Sequence, residues 1–150
     1  MAKVTIFCDG VRGNLTKELR RRFQLGQDRE PEQFAIGLKE LWEMPHDRLE
    51  AGTIVHSMGY PLPHDEFGGG FIYALPDRQL SVGFVVGLDY KDPMFDPQTA
   101  FNQFKQHPFV TKLLEGGQML CYGAKALPEG GWNTIPQPYM AGALIAGDAG

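Results

Sequence analysis

The sequence predicts an α+β fold in which an antiparallel β-sheet is packed with a few helices. Three observations predict it. The 19 glycines and 11 prolines among 150 residues exceed average usage and call for many turns between short elements. Residues 33–44, QFAIGLKELWEM, alternate at the period of a strand, with Phe34, Ile36, Leu38, Trp42 and Met44 on one face and Lys39, Leu41 and Glu43 on the other. Several strand-like runs follow one another with short links, as antiparallel neighbours do.

Taken in order, Val4–Cys8 is a β-branched, apolar strand that meets the turn Asp9-Gly10. Asn14 is then expected to cap a helix whose Leu15, Leu19 and Phe23 share one face, with Gly26 ending it. Arg20, Arg21 and Arg22 fall in its last turns, where cations complement the negative end of the dipole. After the long strand 33–44, Thr53–Met58 is a second. Gly70–Leu75 and Leu80–Leu88 make a hairpin around Pro76-Asp77-Arg78-Gln79. Asp96 caps a helix that starts at Pro97 and carries Phe101 and Phe104, and Pro108 starts a shorter one through Leu114, stopped by Gly116-Gly117. Gln118–Ala126 and Met140–Ala146 complete the strands. The first strand leaves no room for an earlier element, and LIAGDAG at the other end is a strand entering a glycine turn of the kind that opens a helix. Both ends are expected to be cut points in a longer protein.

The chain has the length of one domain and buries about two-thirds of its unfolded surface. Its net charge of -4, from 14 basic and 18 acidic residues mixed along the sequence, carries no electrostatic footprint for nucleic acid. Cys8 and Cys121 lie in apolar strand-like stretches and are expected to be buried thiols. No apolar run reaches membrane-spanning length. Asn14-Leu15-Thr16 matches a glycosylation acceptor, a chance tripeptide better explained by the helix start.

Most catalytic templates are missing: HExxH, paired CxxC, a Walker phosphate loop, GxSxG and GxGxxG. His46, His56, His64 and His107 lack metal-ligand spacing and read as surface or turn positions. Asp89 and Asp92 shape a turn. What remains is glycine. In Phe67-Gly68-Gly69-Gly70-Phe71, three glycines entering a strand imply either a strained turn or bulge, or a flat ligand close to the backbone. Exposed N–H groups flanked by Phe67, Phe71 and Tyr73 suit a planar molecule with carbonyl oxygens, such as a quinone. Asp9-Gly10-x-Arg12 and Gly147-Asp148-x-Gly150 are weak singly, but each follows a small-apolar or β-branched strand.

Taken together, FCDGVRGNLTKEL, the YPLP and FGGGFIYAL hairpin region, VGLDYKDP, LLEGGQMLCYGAKALPEGGWNTIPQ and LIAGDAG resemble the electron transfer flavoprotein:ubiquinone oxidoreductase family over essentially the whole chain. The resemblance implies residues 27–138 as a quinone-binding domain. Residues 1–26 and 139–150 become an edge segment and a return strand of an FAD-binding, two-dinucleotide-motif flavoprotein domain. It implies that Asp9, Gly10 and Arg12 form one flavin-contacting turn and Gly147 and Asp148 another, Asp148 on the ribityl chain. Gly68 and Gly69 match the glycine pair whose backbone holds the ubiquinone headgroup.

The implied activity carries electrons from reduced electron transfer flavoprotein through FAD and a 4Fe-4S iron–sulfur cluster to ubiquinone. The implied protein lies on one membrane surface, the cytoplasmic face of a bacterial inner membrane or the matrix face of the mitochondrial one. Met58–Leu62 and Pro93–Phe95 are candidate contacts, though a buried turn is the more usual role for each. Departures are the missing GxGxxG and cluster cysteines, so these residues by themselves are expected to be inactive, to retain no cofactor and to expose sheet edges prone to association. Related flavoproteins of the geranylgeranyl reductase or nitrogen-fixation quinone-reductase type, and a non-catalytic binding domain, are the competing readings.

Overall fold

The computed structural model describes residues 2–150 and contains two compact units, one of Ala35–Lys125 and one of the residues up to Phe34 together with Ala126–Gly150. The antiparallel sheet and its helices make an α+β fold, as expected.

In the larger unit, β3 (Ile54–His56), β4 (Gly68–Leu75), β5 (Gln79–Gly87), β2 (Phe34–Glu43) and β6 (Gln118–Pro128) lie side by side in that order. Pairing of β3 with β4, β4 with β5 and β5 with β2 is antiparallel. The β4–β5 turn places Asp77 and Arg78 at positive φ, which matches the right-handed twist of a hairpin. One face of this sheet is apolar at every second residue: Ile72 and Ala74 of β4, and Leu80, Val82, Phe84 and Val86 of β5, are all buried. Helices α2 (Pro97–Lys105) and α3 (Pro108–Leu114) supply the facing side chains. The Phe84 ring lies 6.4 Å from that of Phe101, nearly parallel, and 5.5 Å from that of Phe104. Each buried aromatic or branched side chain contributes about 1.5–3 kcal/mol. Asp96 caps α2 by accepting from the N–H groups of Gln98 and Thr99, with Pro97 at the first helical position, as the sequence predicts.

The smaller unit joins β1 (Thr5–Phe7) in parallel to β8 (Ala143–Ile145), which pairs antiparallel with β7 (Tyr139–Met140). The expected single strand Met140–Ala146 is instead a hairpin, broken where Gly142 takes φ +77°. Helix α1 (Asn14–Phe23) is not capped by the Asn14 side chain, because Asn14 is its first helical residue and Gly13 occupies the cap position. Nor does Gly26 end it: Gln24 takes the left-handed conformation and the Leu25 N–H bonds the Arg20 carbonyl. Leu15 and Phe23 are exposed and Leu25, beyond the helix, is buried. Cys8 and Cys121 are exposed, contrary to expectation, because Cys8 lies past the end of β1 and β6 is a sheet edge with solvent along most of its length.

Candidate functional site

The three glycines begin β4 at the end of the hairpin remote from its turn, and each is glycine for a steric reason. A Cβ on Gly68 would stand 2.3 Å from the Val85 carbonyl oxygen, one on Gly69 2.0 Å from the Ser57 carbonyl oxygen, and one on Gly70 2.2 Å from the Phe104 ring. Close packing of backbone and ring therefore accounts for the missing side chains. The hydrogen-bond register separates the donors. Gly87 donates to the Phe67 carbonyl, so odd-numbered residues of β4 face β5 and the Gly69 N–H belongs to the ladder opposite Val85. Even-numbered residues face β3: Ala74 donates to Thr53 and Gly70 to Ser57.

The next donor on that edge is the Gly68 N–H. The chain turns away before it can be met, because Gly59 takes φ +81° and its carbonyl accepts from Leu62. Among the described residues, no backbone carbonyl accepts from Gly68 on this side. A backbone N–H at the end of a ladder, beside the buried Leu62 and the exposed Phe67, is a donor in an apolar setting.

Beside this edge, between β3–β4 and α2–α3, lies a cavity of about 210 Å³. Val55, Ile72, Phe104 and Val110 wall it, and Gly70 forms part of its floor. Tyr60 crosses its mouth, its ring 5.6 Å from that of His107. On the same side of the sheet a carboxylate is buried. Glu40 of β2, only 5% exposed, accepts from Lys105 Nζ at 2.6 Å and from Trp42 Nε1 at 2.9 Å. Its phase in the apolar alternation of residues 33–44 was the signal for this: a single acid among core positions has to find a partner.

In the smaller unit the parallel pair brings the two other predicted groups together. Phe7 is level with Ile145 and the Ala146 N–H bonds the Phe7 carbonyl, so Asp9-Gly10 and Gly147-Asp148 leave the same, C-terminal, end of adjacent strands. Ligands of parallel α/β units bind at that end. Gly10 at φ +81° and Gly147 at φ +68° have no atom within 4 Å of a would-be Cβ, so both backbones are open to close approach.

Arg12 is exposed and Asp148 half-buried. Asp9 has a structural task that sequence reasoning missed: its carboxylate accepts from the N–H groups of Leu15 and Thr16, at 3.0 and 3.1 Å, and from the Thr16 hydroxyl, so it is the cap of α1. Gly13 makes this possible, since a Cβ there would fall 2.1 Å from Asp9 Cγ. The Thr16 hydroxyl first, and then the backbone donors, hold the Asp9 carboxyl below its ordinary range. With its first free N–H groups taken by Asp9, α1 offers little to a phosphate.

The four histidines are exposed, as expected. Among the described residues no group of three or more His, Cys, Asp or Glu side chains could hold a metal ion. An iron–sulfur cluster therefore has no ligand set here.

A family model described as "ETF-QO, ubiquinone-binding" matches residues 34–127. The chain is 43% identical over 150 residues to a probable mitochondrial electron transfer flavoprotein-ubiquinone oxidoreductase of Schizosaccharomyces pombe, covering 99% of this chain and 24% of the relative. It is 43% identical over 148 residues to the mitochondrial enzyme of that name from Sus scrofa, covering 97% of this chain and 24% of the relative. The chain thus spans about a quarter of the length of these relatives. Among solved structures, a geranylgeranyl bacteriochlorophyll reductase-like protein from Thermoplasma acidophilum superposes with a TM-score of 0.70 at 16% identity, over 99% of this chain and 34% of that one. A flavin-dependent brominase variant gives 0.63 at 15%, over 98% and 36%. At such identities the likeness is one of fold.

Proposed function

Because the chain belongs to the ubiquinone-binding family of electron transfer flavoprotein-ubiquinone oxidoreductases, we propose that it is the quinone-reducing part of such an enzyme. In this reading electrons arrive from reduced electron transfer flavoprotein by way of FAD and an iron–sulfur cluster and leave on ubiquinone. The observation that carries it is the Gly68 N–H, left without a ladder partner in an apolar setting. It donates to one carbonyl oxygen of the quinone ring, and the bond strengthens as two electrons place negative charge on that oxygen before protons neutralise it to the quinol. Gly69 supports this from the ladder, holding β4 against Val85 so that Gly68 keeps its aim.

The open turns at Gly10 and Gly147 fit a flavin, which when bound would supply the electron-transfer chemistry. Gly147, Asp148 and Arg12 are its candidate contacts, and Asp9 shapes the first turn by capping α1. With two cysteines in its sequence, this chain does not supply the four cysteine ligands that the iron–sulfur group of this reading needs. Contact with one membrane face is part of the reading. It is supported by Met58 and Met94, exposed at 81% and 86%, while Leu62 is buried and takes no part. Among the described residues no helix is long and apolar enough to cross a membrane. That face is the matrix side in a mitochondrion or the cytoplasmic side in a bacterium. The reductase alternative has a likeness of fold behind it, against 43% identity for the oxidoreductases.

The test is an amide proton–nitrogen spectrum of the labelled chain titrated with a ubiquinone analogue lacking the isoprenoid chain. A downfield shift of the Gly68 amide proton is expected. A dispersed spectrum in which Gly68 stays still would return the glycines to a purely packing role.

A further inference from the structure

The buried pair of Glu40 and Lys105 takes no part in the headgroup contact. A buried ion pair is weak evidence of stabilisation, because desolvation offsets its attraction; what it supplies is direction. We propose that Glu40 and Lys105 are positioning residues for the quinone: they fix the roll of α2 and so hold the Phe104 ring on the strand edge that carries the Gly68 donor. The inference rests on the headgroup reading above. Phe101 of α2 stacks on Phe84 of β5. The next residues toward the end of the helix, Phe104 and Lys105, leave its axis about 100° apart. They reach to opposite sides of β5, Phe104 to Gly70 of β4 and Lys105 to Glu40 of β2. A roll of α2 therefore moves both at once.

Packing alone leaves that roll open. The buried residues of α2, Ala100, Phe101 and Phe104, make apolar contacts that have no preferred direction. Phe104 also borders the cavity of about 210 Å³, so its ring has room to move off Gly70. The ion pair removes this freedom. Glu40 is held through both oxygens: Oε2 accepts from Trp42 Nε1 of its own strand at 2.9 Å, and Oε1 accepts from Lys105 Nζ at 2.6 Å. The same ammonium lies 4.6 Å from the centre of the Phe101 ring, which fixes it from a second side. With Lys105 tied down, the adjacent Phe104 ring stays where a Cβ on Gly70 would stand, 2.2 Å from Cζ. Gly68 lies two residues along this edge, about 7 Å away. The ring therefore braces the edge on its core face, as the ladder with Val85 does in the plane of the sheet.

The experiment records spectra of the labelled chain and its affinity for the unprenylated ubiquinone analogue. Glu40→Gln keeps the shape of the side chain and an acceptor for Trp42 while removing the charge. It is expected to move the ring-current-shifted α-protons of Gly70 toward their ordinary positions. It should also weaken the analogue about five-fold, the contribution of one neutral hydrogen bond. Lys105→Met, at the more exposed end of the pair, should repeat both effects, so the test does not depend on Glu40→Gln folding. Phe104→Leu is expected to weaken the analogue similarly, and adding Glu40→Gln to it should cost no further affinity, because the pair acts through the ring. Native-state shifts of Gly70 and affinity that stay unchanged in both pair variants would make the pair purely structural and overturn the proposal. Losses that simply add in the double variant would overturn it too, since the pair would then not act through Phe104. Failure of the analogue to move Gly68 in the unsubstituted chain would instead overturn the headgroup reading, and the Gly70 shifts of the free variants would still show whether the pair sets the ring.

Discussion

The Ser57 carbonyl oxygen occupies the space of a side chain on Gly69: a Cβ there would stand 2.0 Å from it and 3.0 Å from Met58 Cα. Both obstacles are backbone, so neither can swing aside. Gly69→Ala is expected to cost about 1–3 kcal/mol in urea unfolding, the range for overpacking, by peeling β3 from β4. Gly68→Ala meets the Val85 carbonyl and also holds φ +152°, so it should cost more. Equal stability of either variant with the parent would refute the packing account.

Asp9 joins the first turn of α1 to the end of β1, and its removal should be felt as the loss of a cap. Asp9→Ala is expected to lower stability by about 0.5–2 kcal/mol. Because the folded carboxyl is held below the ordinary value of 3.8, chiefly by the Thr16 hydroxyl, the stabilisation is complete above that value. It is lost as pH falls from there through the lower folded value. Thr16→Val removes the strongest donor, so its acid unfolding should be less steep than the parent's over that window.

Glu40 and Lys105 tie β2 to the end of α2 across the buried face of the sheet, with side chains 6% and 20% exposed. Glu40→Ala strands the lysine and leaves Trp42 Nε1 without its acceptor, a loss of about 3–5 kcal/mol for a buried pair. Replacing both partners by methionine should recover the part of that loss due to the stranded lysine and leave about 1–3 kcal/mol, the cost of Trp42 Nε1 without its acceptor. Denaturant midpoints of the single and double variants check this, and a double variant as unstable as Glu40→Ala would show that the pair is not simply interchangeable with packing.

Cys8 and Cys121 are exposed thiols. Both should react with a maleimide without denaturant, at rates close to those of the unfolded chain. Protection of Cys121 would show that the β6 edge is covered in solution.

Much of the fold was legible in local pattern. The period-two alternation of residues 33–44, the 76–79 turn, and Asp96 followed by Pro97 each state a backbone preference within a few residues, and the structure places a strand, a hairpin and a capped helix there. Asn14 and Gly26 carried equally ordinary signals and failed. Asp9, five residues upstream of Asn14, supplied the cap, and Gln24, not Gly26, takes the left-handed conformation that ends the helix. The buried face of β2 was also readable, but not that its single acid, Glu40, is paired by a lysine 65 residues away.

The sequence by itself determined the fold class, the family resemblance and the glycine positions, because periodicity, turn chemistry and motif spacing are properties of short stretches of chain. Only the tertiary structure decided which glycine offers a donor. Gly68 and Gly69 are indistinguishable as letters, yet ladder register turns one N–H to Val85 and the other to an edge that Gly59 has left open. Only it raised the cavity beside that edge, from side chains brought together from β3, β4, α2 and α3. Register and enclosure are long-range quantities, set by which strands pair and which helices cover them, and no local window of residues contains them.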